Sequence, residues 1–234
     1  MAIYAISDLH LALSVDKPMD VFGSRWADYM SRLKQSWENT VKDGDTVIIP
    51  GDISWATYIE QAVADFEFIE KLPGKKIISK GNHDYWWTTM GKLDKFLDSN
   101  GFSTIKFMHN NSYIMENSIL CGTRGWKCPG EDDFSSEDEK IYKRELIRLE
   151  LSLKTVPENL RENVIVALHY PPFNSDGKPS GFVDMIRNYG VKMCIYGHLH
   201  GAKTSRAVEG LIENTQYILV SADHLGFVPL QLNL

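Results

Sequence analysis

The sequence has few cysteines, and their spacing matches no metal or redox motif. Cys121, Cys128 and Cys194 are the three cysteines in 234 residues, and no Cys-x-x-Cys pair occurs. An odd number at these spacings suggests neither a disulfide framework nor a cysteine-ligated zinc site. We therefore expect free thiols and a reducing compartment.

The sequence also lacks a long apolar run and a surplus of positive charge. No stretch reaches the roughly 18 apolar residues of a membrane-spanning helix. No basic segment followed by a long apolar run opens the chain, so the cytoplasm is the expected location. The formal net charge of -6 argues against general nucleic-acid binding. A nucleotide substrate stays compatible with that charge, because bound divalent metals make a site locally positive.

Strand-like and helix-like spacings alternate along the first third of the chain. Residues 2–7, 45–50 and 76–80 are short and apolar, which predicts buried strands, and residues 24–42 and 57–71 between them have helical spacing. This alternation predicts crossover units with parallel strands. A further helix is expected over 87–98, and short runs at 103–108, 112–115 and 118–122 suggest antiparallel strands. Without a repeat or linker, we expect one α/β (α+β) domain over residues 1–234.

Histidines and carboxylates directly follow five strand-like runs, the first three above and two later ones at residues 164–168 and 192–196. In an open sheet with parallel strands, ligands bind beyond the carboxyl ends of the strands, so the five segments should meet at one edge. Residues two apart in extended backbone face the same way, so each pair of that spacing should converge. The segments are Asp8-Leu9-His10, Gly51-Asp52, Gly81-Asn82-His83-Asp84, His169-Tyr170-Pro171-Pro172 and Gly197-His198-Leu199-His200.

These side chains together make a metal-ligand set. Imidazole and carboxylate suit zinc, manganese or iron. Eight candidates exceed the needs of one ion, and two ions about 3.5–4 Å apart, bridged by a carboxylate, fit the count better. Each piece alone has an ordinary explanation, since Gly-Asp is commonly a turn and Asp-x-His a solvated strand end. Five such pieces, each behind an apolar run, make coincidence a poor explanation.

The five blocks resemble those of the calcineurin-like metallophosphoesterase superfamily, whose pattern is Asp-x-His, Gly-Asp, Gly-Asn-His-Asp/Glu, His and Gly-His-x-His. The resemblance extends from Asp8 to His200. It implies a four-layer sandwich of two mixed β-sheets flanked by helices. It also implies a role for each matching residue: Asp8, His10 and His200 as ligands of the first metal, Asn82, His169 and His198 of the second, Asp52 as the bridge, His83 at the leaving group, and Asp84 as the partner of His83.

The resemblance further implies a metal-dependent phosphohydrolase that cleaves small phosphate mono- or diesters. A hydroxide bridging two divalent ions (manganese, iron, zinc or nickel) would be the nucleophile, and His83 the general acid. Purple acid phosphatases place a metal-binding tyrosine where Trp55 stands here. Protein serine/threonine phosphatases carry an arginine in the block where Ile53-Ser54-Trp55 follows Asp52. The layout is most similar to small bacterial phosphodiesterases, which favours a diester substrate.

Other functions stay open at this point. The same fold can serve as a catalytically silent scaffold, although every expected ligand is present here. A nuclease acting on short or flexible substrates is a further alternative. The His-x-His-x-Asp-His motif of the metallo-β-lactamase fold does not occur. The oligomeric state cannot be inferred from these patterns.

Two further segments could contact a substrate. Arg124 follows a strand-like run, and a guanidinium there could clamp a phosphate through two hydrogen bonds. A salt bridge at the surface is the alternative for this residue. Tyr85, Trp86 and Trp87 follow the third block and could form a stacking wall for a ring. Core packing of the helix that they open is equally expected.

Overall fold

The computed structural model describes residues 1–233. Eleven strands and five α-helices are present in them, together with 3-10 helices at Met19–Phe22, Ser24–Trp26, Ile59–Ala62, Glu158–Asn163 and Gly201–Arg206. The strands are β1 (Ile3–Ala5), β2 (Thr46–Pro50), β3 (Lys75–Ser79), β4 (Ile105–Phe107), β5 (Tyr113–Met115), β6 (Ser118–Thr123), β7 (Val164–Leu168), β8 (Met193–Tyr196), β9 (Gly210–Ile212), β10 (Thr215–Leu219) and β11 (Leu230–Gln231). The helices are α1 (Tyr29–Thr40), α2 (Val63–Lys71), α3 (Met90–Asn100), α4 (Ser136–Lys154) and α5 (Gly181–Asn188).

The strands form two mixed sheets. The first has the order β11-β1-β2-β3-β4 and the second the order β5-β6-β7-β8-β10-β9. In each sheet four consecutive strands run parallel, β1 to β4 in the first and β6, β7, β8 and β10 in the second. An antiparallel strand lies at one edge of the first sheet and at both edges of the second. The central strands are buried along almost their whole length, as parallel strands covered on both faces are expected to be.

Three layers of apolar side chains hold the sandwich together. Leu33, Trp37 and Phe66 belong to the core between the first sheet and its helices. Leu149 and Phe182 belong to the core between the second sheet and helices α4 and α5. A third cluster fills the space between the sheets and includes Ile48, Ile77, Leu120, Ile165 and Ile195. Full burial of each such side chain contributes about 1.5–3 kcal/mol. The two mixed sheets with helices on their outer faces confirm the four-layer α/β sandwich expected from the resemblance.

Several element boundaries differ from the sequence expectations. The helices expected over 24–42 and 57–71 begin later, at Tyr29 and Val63, because a 3-10 helix precedes each. The run at 103–108 was expected to be antiparallel, yet β4 pairs parallel with β3. Only the β5–β6 hairpin follows the expected antiparallel pattern there. Helix α3 provides the crossover that a parallel connection needs, and the alternation rule therefore extends one strand further than predicted.

Membrane insertion was not expected from the composition. Across residues 1–233, none of the helices combines the length and apolar character needed to cross a bilayer.

Candidate metal centre

The predicted ligands come together where parallel strands of both sheets end. Asp8, Asp52 and Asn82 follow β1, β2 and β3 of the first sheet, and His169 and His198 follow β7 and β8 of the second. The two sheets are hydrogen-bonded to each other just beyond β1 and β10, where the amide of Ser7 donates to the carbonyl of Val220 at 2.7 Å. The rule that ligands gather beyond the carboxyl ends of strands therefore holds across the seam between two sheets.

One group of ligand atoms is formed by Asp8, His10 and His200. A nitrogen or oxygen of each lies within 4.8 Å of the others. His200 Nε2 is 3.1 Å from Asp8 Oδ1 and 3.3 Å from His10 Nε2. Two imidazole nitrogens and a carboxylate oxygen within 4.8 Å of one another can surround a single ion. These are the residues that the resemblance assigns to the first metal.

A second group lies beside the first and shares Asp8 with it. Atoms of Asp8, Asp52 and His169 again lie within 4.8 Å of one another. Asn82 Oδ1 is 2.6 Å from His169 Nε2 and 2.9 Å from His198 Nδ1. Asp52 Oδ2 is 3.5 Å from His169 Nε2 and 3.8 Å from His10 Nε2. The Asp52 carboxylate thus lies between the two groups, where a bridging ligand would be required.

Several of these side chains are carried on left-handed backbone. The φ angles are 59° at Asp8, 47° at His10, 54° at Asp52 and 72° at His198. Non-glycine residues in this region are strained and concentrate at functional sites. The expectation that Asp8 and His10 converge through extended backbone is therefore wrong, since β1 ends at Ala5. The two side chains converge through consecutive tight turns instead.

Two glycines allow the segments to approach closely. A Cβ atom on Gly81 would collide with the backbone nitrogen and Oδ1 of Asp52, and one on Gly197 would collide with the carboxylate of Asp8. The glycine that precedes Asn82 and the one that precedes His198 thus leave room for a neighbouring carboxylate, in addition to permitting a turn.

Burial keeps three of the imidazoles neutral. It lowers the pKa of His169 to about 4 and the pKa of His198 to about 3, and it lowers the pKa of His10 well below its ordinary value. His83 is half-buried, and burial lowers its pKa as well. Neutral imidazole is the form that binds a metal ion.

At the centre the carboxylates outnumber the one imidazole, that of His200, whose pKa is raised. Burial, then repulsion from Asp8 and Asp84, raises the pKa of Asp52 well above its ordinary value. Burial alone would lower the pKa of His200, but the charge of Asp8 and the hydrogen bond to Asp223 raise it to about 10. The centre therefore offers buried carboxylates that repel one another, neutral imidazoles and the amide oxygen of Asn82. This donor set fits divalent ions such as manganese, iron, zinc and nickel.

Asp223 is a functional candidate that the sequence reasoning did not select. Its Oδ1 is 2.8 Å from His200 Nδ1, and its Oδ2 accepts from the amide of Gly201 at 2.9 Å. The contact directs His200 Nε2 towards Asp8, as outer-sphere carboxylates do at metal sites. The rule for polar residues that follow parallel strands could have identified Asp223, because it follows β10 at the same edge of the sandwich.

His83 lies beside the ligand groups, but it does not contact Asp84. The amide of His83 donates to Asp52 Oδ1 at 2.8 Å, and its ring lies 4.4 Å from the ring of Trp55. Among residues 1–233, His83 Nδ1 has no hydrogen-bond partner. The pairing of Asp84 with His83 expected from the motif is therefore corrected: the Asp84 carboxylate accepts hydrogen bonds from backbone amides, including those of Asp52 and Gly81, and from the Trp86 indole.

The other predicted contact residues lie in different surroundings. The guanidinium of Arg124 lies over the Trp126 ring at 4.4 Å, with Nη2 3.6 Å from the buried carboxylate of Glu145. Trp86 is only 2% exposed and packs in the core, which the core alternative anticipated. Tyr85 is 62% exposed, with its ring 6.2 Å from that of His83.

A cavity of about 790 Å³ opens at the first ligand group. His10, His83 and His200 line it, together with the apolar side chains of Trp26 and Trp55. One face of Trp55 is stacked on His10 at 5.0 Å, and the ammonium of Lys17 lies 4.6 Å from its ring centroid. The cavity can therefore accommodate an organic group next to the candidate metal ligands.

Known proteins resemble the chain in sequence pattern and in fold. A model of the calcineurin-like phosphoesterase family matches residues 1–202. One similar solved structure is a phosphopantetheinyl hydrolase from Mycobacterium tuberculosis, with 11% identity, a TM-score of 0.59 and coverage of 99% of this chain and 95% of that one. A second is the protein TT1561 of Thermus thermophilus, with 10% identity, a TM-score of 0.57 and coverage of 99% of this chain and 97% of that one. A third is a protein of unknown function from Aquifex aeolicus, with 16% identity, a TM-score of 0.50 and coverage of 98% of this chain and 95% of that one. Identities this low show the fold alone. No curated protein sequence gives a significant match.

Proposed function

We propose, from the premise that this chain belongs to the calcineurin-like phosphoesterase family, that it hydrolyses a small phosphate ester at a centre of two divalent metal ions. The family makes it a metal-dependent phosphoesterase. The number of ions, the class of ester and the role of each residue are our proposals. We treat residues 1–234 as one catalytic domain that acts in the cytoplasm.

The observation that carries the proposal is the pair of adjacent ligand groups, with the Asp52 carboxylate between them. Asp8, His10 and His200 would hold one ion, Asn82, His169 and His198 the other, and Asp52 would contact both. The ligand atoms of Asp8, His10 and His200 lie within 4.8 Å of one another. In the other group, Asn82 Oδ1 lies within hydrogen-bond distance of a ring nitrogen of His169 and of His198. When bound, such ions lower the pKa of a water molecule and neutralise charge on phosphoryl oxygens.

His83 is proposed to supply the proton to the leaving oxygen. Its ring lines the cavity at the centre, and its amide is fixed by Asp52. Proton transfer by a positioned histidine is worth roughly 10²–10⁴-fold in rate. Because Asp84 does not touch the ring, the Trp55 ring, together with the hydrogen bond from the His83 amide to Asp52, would orient His83.

A phosphodiester is the favoured substrate class. Arg25 is the one arginine or lysine among the residues that line the cavity, whereas Met19, Trp26 and Trp55 contribute apolar surface. A diester carries one negative charge and two organic groups, and that combination suits such a cavity better than a doubly charged monoester does. The net charge of -6 supports a small ester over a nucleic acid.

The test is a hydrolysis panel on metal-reconstituted protein. Bis-p-nitrophenyl phosphate, p-nitrophenyl phosphate and cyclic nucleotides would be compared with manganese, zinc, iron and nickel. We expect turnover that is highest for a diester and is lost on chelation.

Two variants and a control sharpen this panel. Asp52→Asn should lose bound metal and activity together, and His83→Ala should keep its metal but lose turnover. His109→Ala is the matched control, since His109 is exposed and lies outside both ligand groups. A protein without turnover of any ester under all four metals would instead support the silent scaffold.

A further inference from the structure

A second cavity, of about 330 Å³, lies at the ends of β3 and β6 and is bounded by helix α4. Ser79 is the last residue of β3 and Thr123 the last residue of β6, and both line the cavity. None of the seven predicted metal ligands does. The cavity is therefore separate from the candidate metal centre.

Positive charge dominates the lining of this second cavity. Lys80, Arg124, Arg144 and Arg148 line it, and Glu145 is its one carboxylate, which gives a formal charge of +3 with histidine neutral. The whole chain carries -6. Such a concentration of cations in an acidic protein produces a local positive potential that attracts anions.

Glu145 cannot compensate this charge alone. Its buried carboxylate accepts from Arg148 Nη1 at 2.6 Å, lies 3.6 Å from Arg124 Nη2 and also accepts from the hydroxyl of Thr123. Within residues 1–233, the side chains of Lys80 and Arg144 form neither a hydrogen bond nor an ion pair with another residue. At least two of the four cations thus lack a counter-charge.

Two buried donors of the lining also lack acceptors. Arg124 Nε and Ser79 Oγ are buried and have no hydrogen-bond partner in the described chain. Ser79 is only 2% exposed. Buried donors are normally satisfied, so their coincidence at one cavity points to a missing acceptor. Water could accept hydrogen bonds here, but it would leave the positive charge uncompensated.

We propose that this cavity binds a small oxyanion of the phosphate class, held by the guanidiniums of Arg124 and Arg144 and by the ammonium of Lys80. The planar guanidinium group matches the geometry of phosphate oxygens. A volume of about 330 Å³ is at the lower end of the range for ligand cavities, which fits a free anion or a small phosphorylated molecule. Arg124, for which the sequence left a phosphate contact and a salt bridge open, would thus contact an anion in this second cavity. This inference is independent of the proposed hydrolysis.

Calorimetric titration of the full chain with inorganic phosphate, at constant ionic strength, tests the inference. The titration is run on metal-loaded protein and again after chelation. Chelation removes phosphate binding at the metal centre, because the carboxylates of Asp8, Asp52 and Asp84 then repel an anion, whereas the His200 imidazole is already paired with Asp8 and Asp223. We expect phosphate binding that survives chelation.

Variants of exposed or half-buried lining residues assign that binding to the cavity. Arg144→Gln removes a charge without breaking a hydrogen bond or ion pair, so the chain should fold normally. It should weaken chelation-resistant binding about tenfold, the loss expected for one charge-assisted hydrogen bond. Lys80→Gln should do the same, and Arg144→Lys, which keeps the charge but not the planar guanidinium, should restore only part of the affinity. Lys143→Gln is the control, since Lys143 is a neighbour on α4 outside the lining.

The outcomes separate the proposal from its alternatives. Absence of chelation-resistant binding in the wild-type chain, or equal binding by the Arg144→Gln variant, would overturn it. A parallel titration with adenosine 5'-phosphate identifies the source of the anion. Tighter binding than inorganic phosphate assigns the site to a phosphorylated small molecule, and equal or weaker binding assigns it to the free anion. In both cases Arg144→Gln must reduce the affinity.

Discussion

Asp84→Asn is the substitution that best distinguishes a structural from a catalytic carboxylate beside His83. Asp84 Oδ2 accepts from the amides of Asp52 at 2.9 Å and Gly81 at 2.7 Å. Its Oδ1 accepts from the amide of Ile53 at 2.8 Å and from the Trp86 indole at 3.1 Å. The amide of Ser54 also donates to Oδ1, at 3.4 Å. An asparagine has one acceptor oxygen, so in either orientation its NH₂ group faces at least two N–H donors.

The expected cost follows from these contacts. Two buried donors lose their acceptor, and each unsatisfied donor costs about 1–3 kcal/mol. The free energy of unfolding should therefore fall by about 2–6 kcal/mol, a large share of the 5–15 kcal/mol that is typical of whole proteins. Asp84 links the segment carrying Asp52 to the segment carrying Asn82, so the loss should also loosen the candidate metal centre.

Urea denaturation of metal-loaded protein measures this effect, with two variants for comparison. His83→Ala should lose turnover while its free energy of unfolding changes by about 1 kcal/mol or less, because the ring is half-buried and Nδ1 has no hydrogen-bond partner within residues 1–233. Asp94→Asn, on the exposed face of α3, should change neither. If Asp84→Asn keeps full stability but loses turnover as His83→Ala does, the carboxylate acts through the histidine and our reasoning is refuted.

Three further predictions concern the centre and the core. Asp223→Asn should raise the metal concentration for half-maximal activity about 10–100-fold while turnover at saturating metal is kept, and an unchanged metal requirement would exclude a positioning role towards His200. Gly81→Ala should lose bound metal by elemental analysis, because its Cβ would collide with Asp52, whereas Gly91→Ala, which has open space, should retain it. Burial lowers the pKa of Lys76 from 10.5 to about 8. The unfolded chain therefore binds more protons between these values, so stability should rise as the pH increases through that interval, and Lys76→Met should abolish the rise in denaturation midpoint.

The sequence predicts the positions of the candidate ligands well because a simple rule governs them. Polar residues that directly follow buried parallel strands must meet at one edge, and this placed Asp8, Asp52 and His169 together without knowledge of the turns. The same rule applies to Asp223, which follows β10 and which the sequence reasoning did not select. The pairing of β10 with β8 is parallel, and only the pairing with β9 is antiparallel.

Contacts set by tertiary structure could not be predicted in the same way. The family resemblance implied that Asp84 holds His83, but the tight turn after β3 directs the carboxylate towards backbone amides of another segment. Left-handed backbone at Asp8 and His10 likewise leaves no periodic signal. Arg124 could be identified as a candidate anion contact, but its distance from the metal centre depends on how α4 packs against the second sheet.

The shared metal centre has a consequence for a chain that has no disulfide among its described residues. Asp8 comes from the first sheet and His200 from the second, 192 positions later in the sequence. An ion held by both is a cross-link that closes a very long loop, and such closures restrict the unfolded chain most. The metal centre would therefore cross-link the two sheets as a disulfide would in another protein. It would resist forces that slide one sheet past the other.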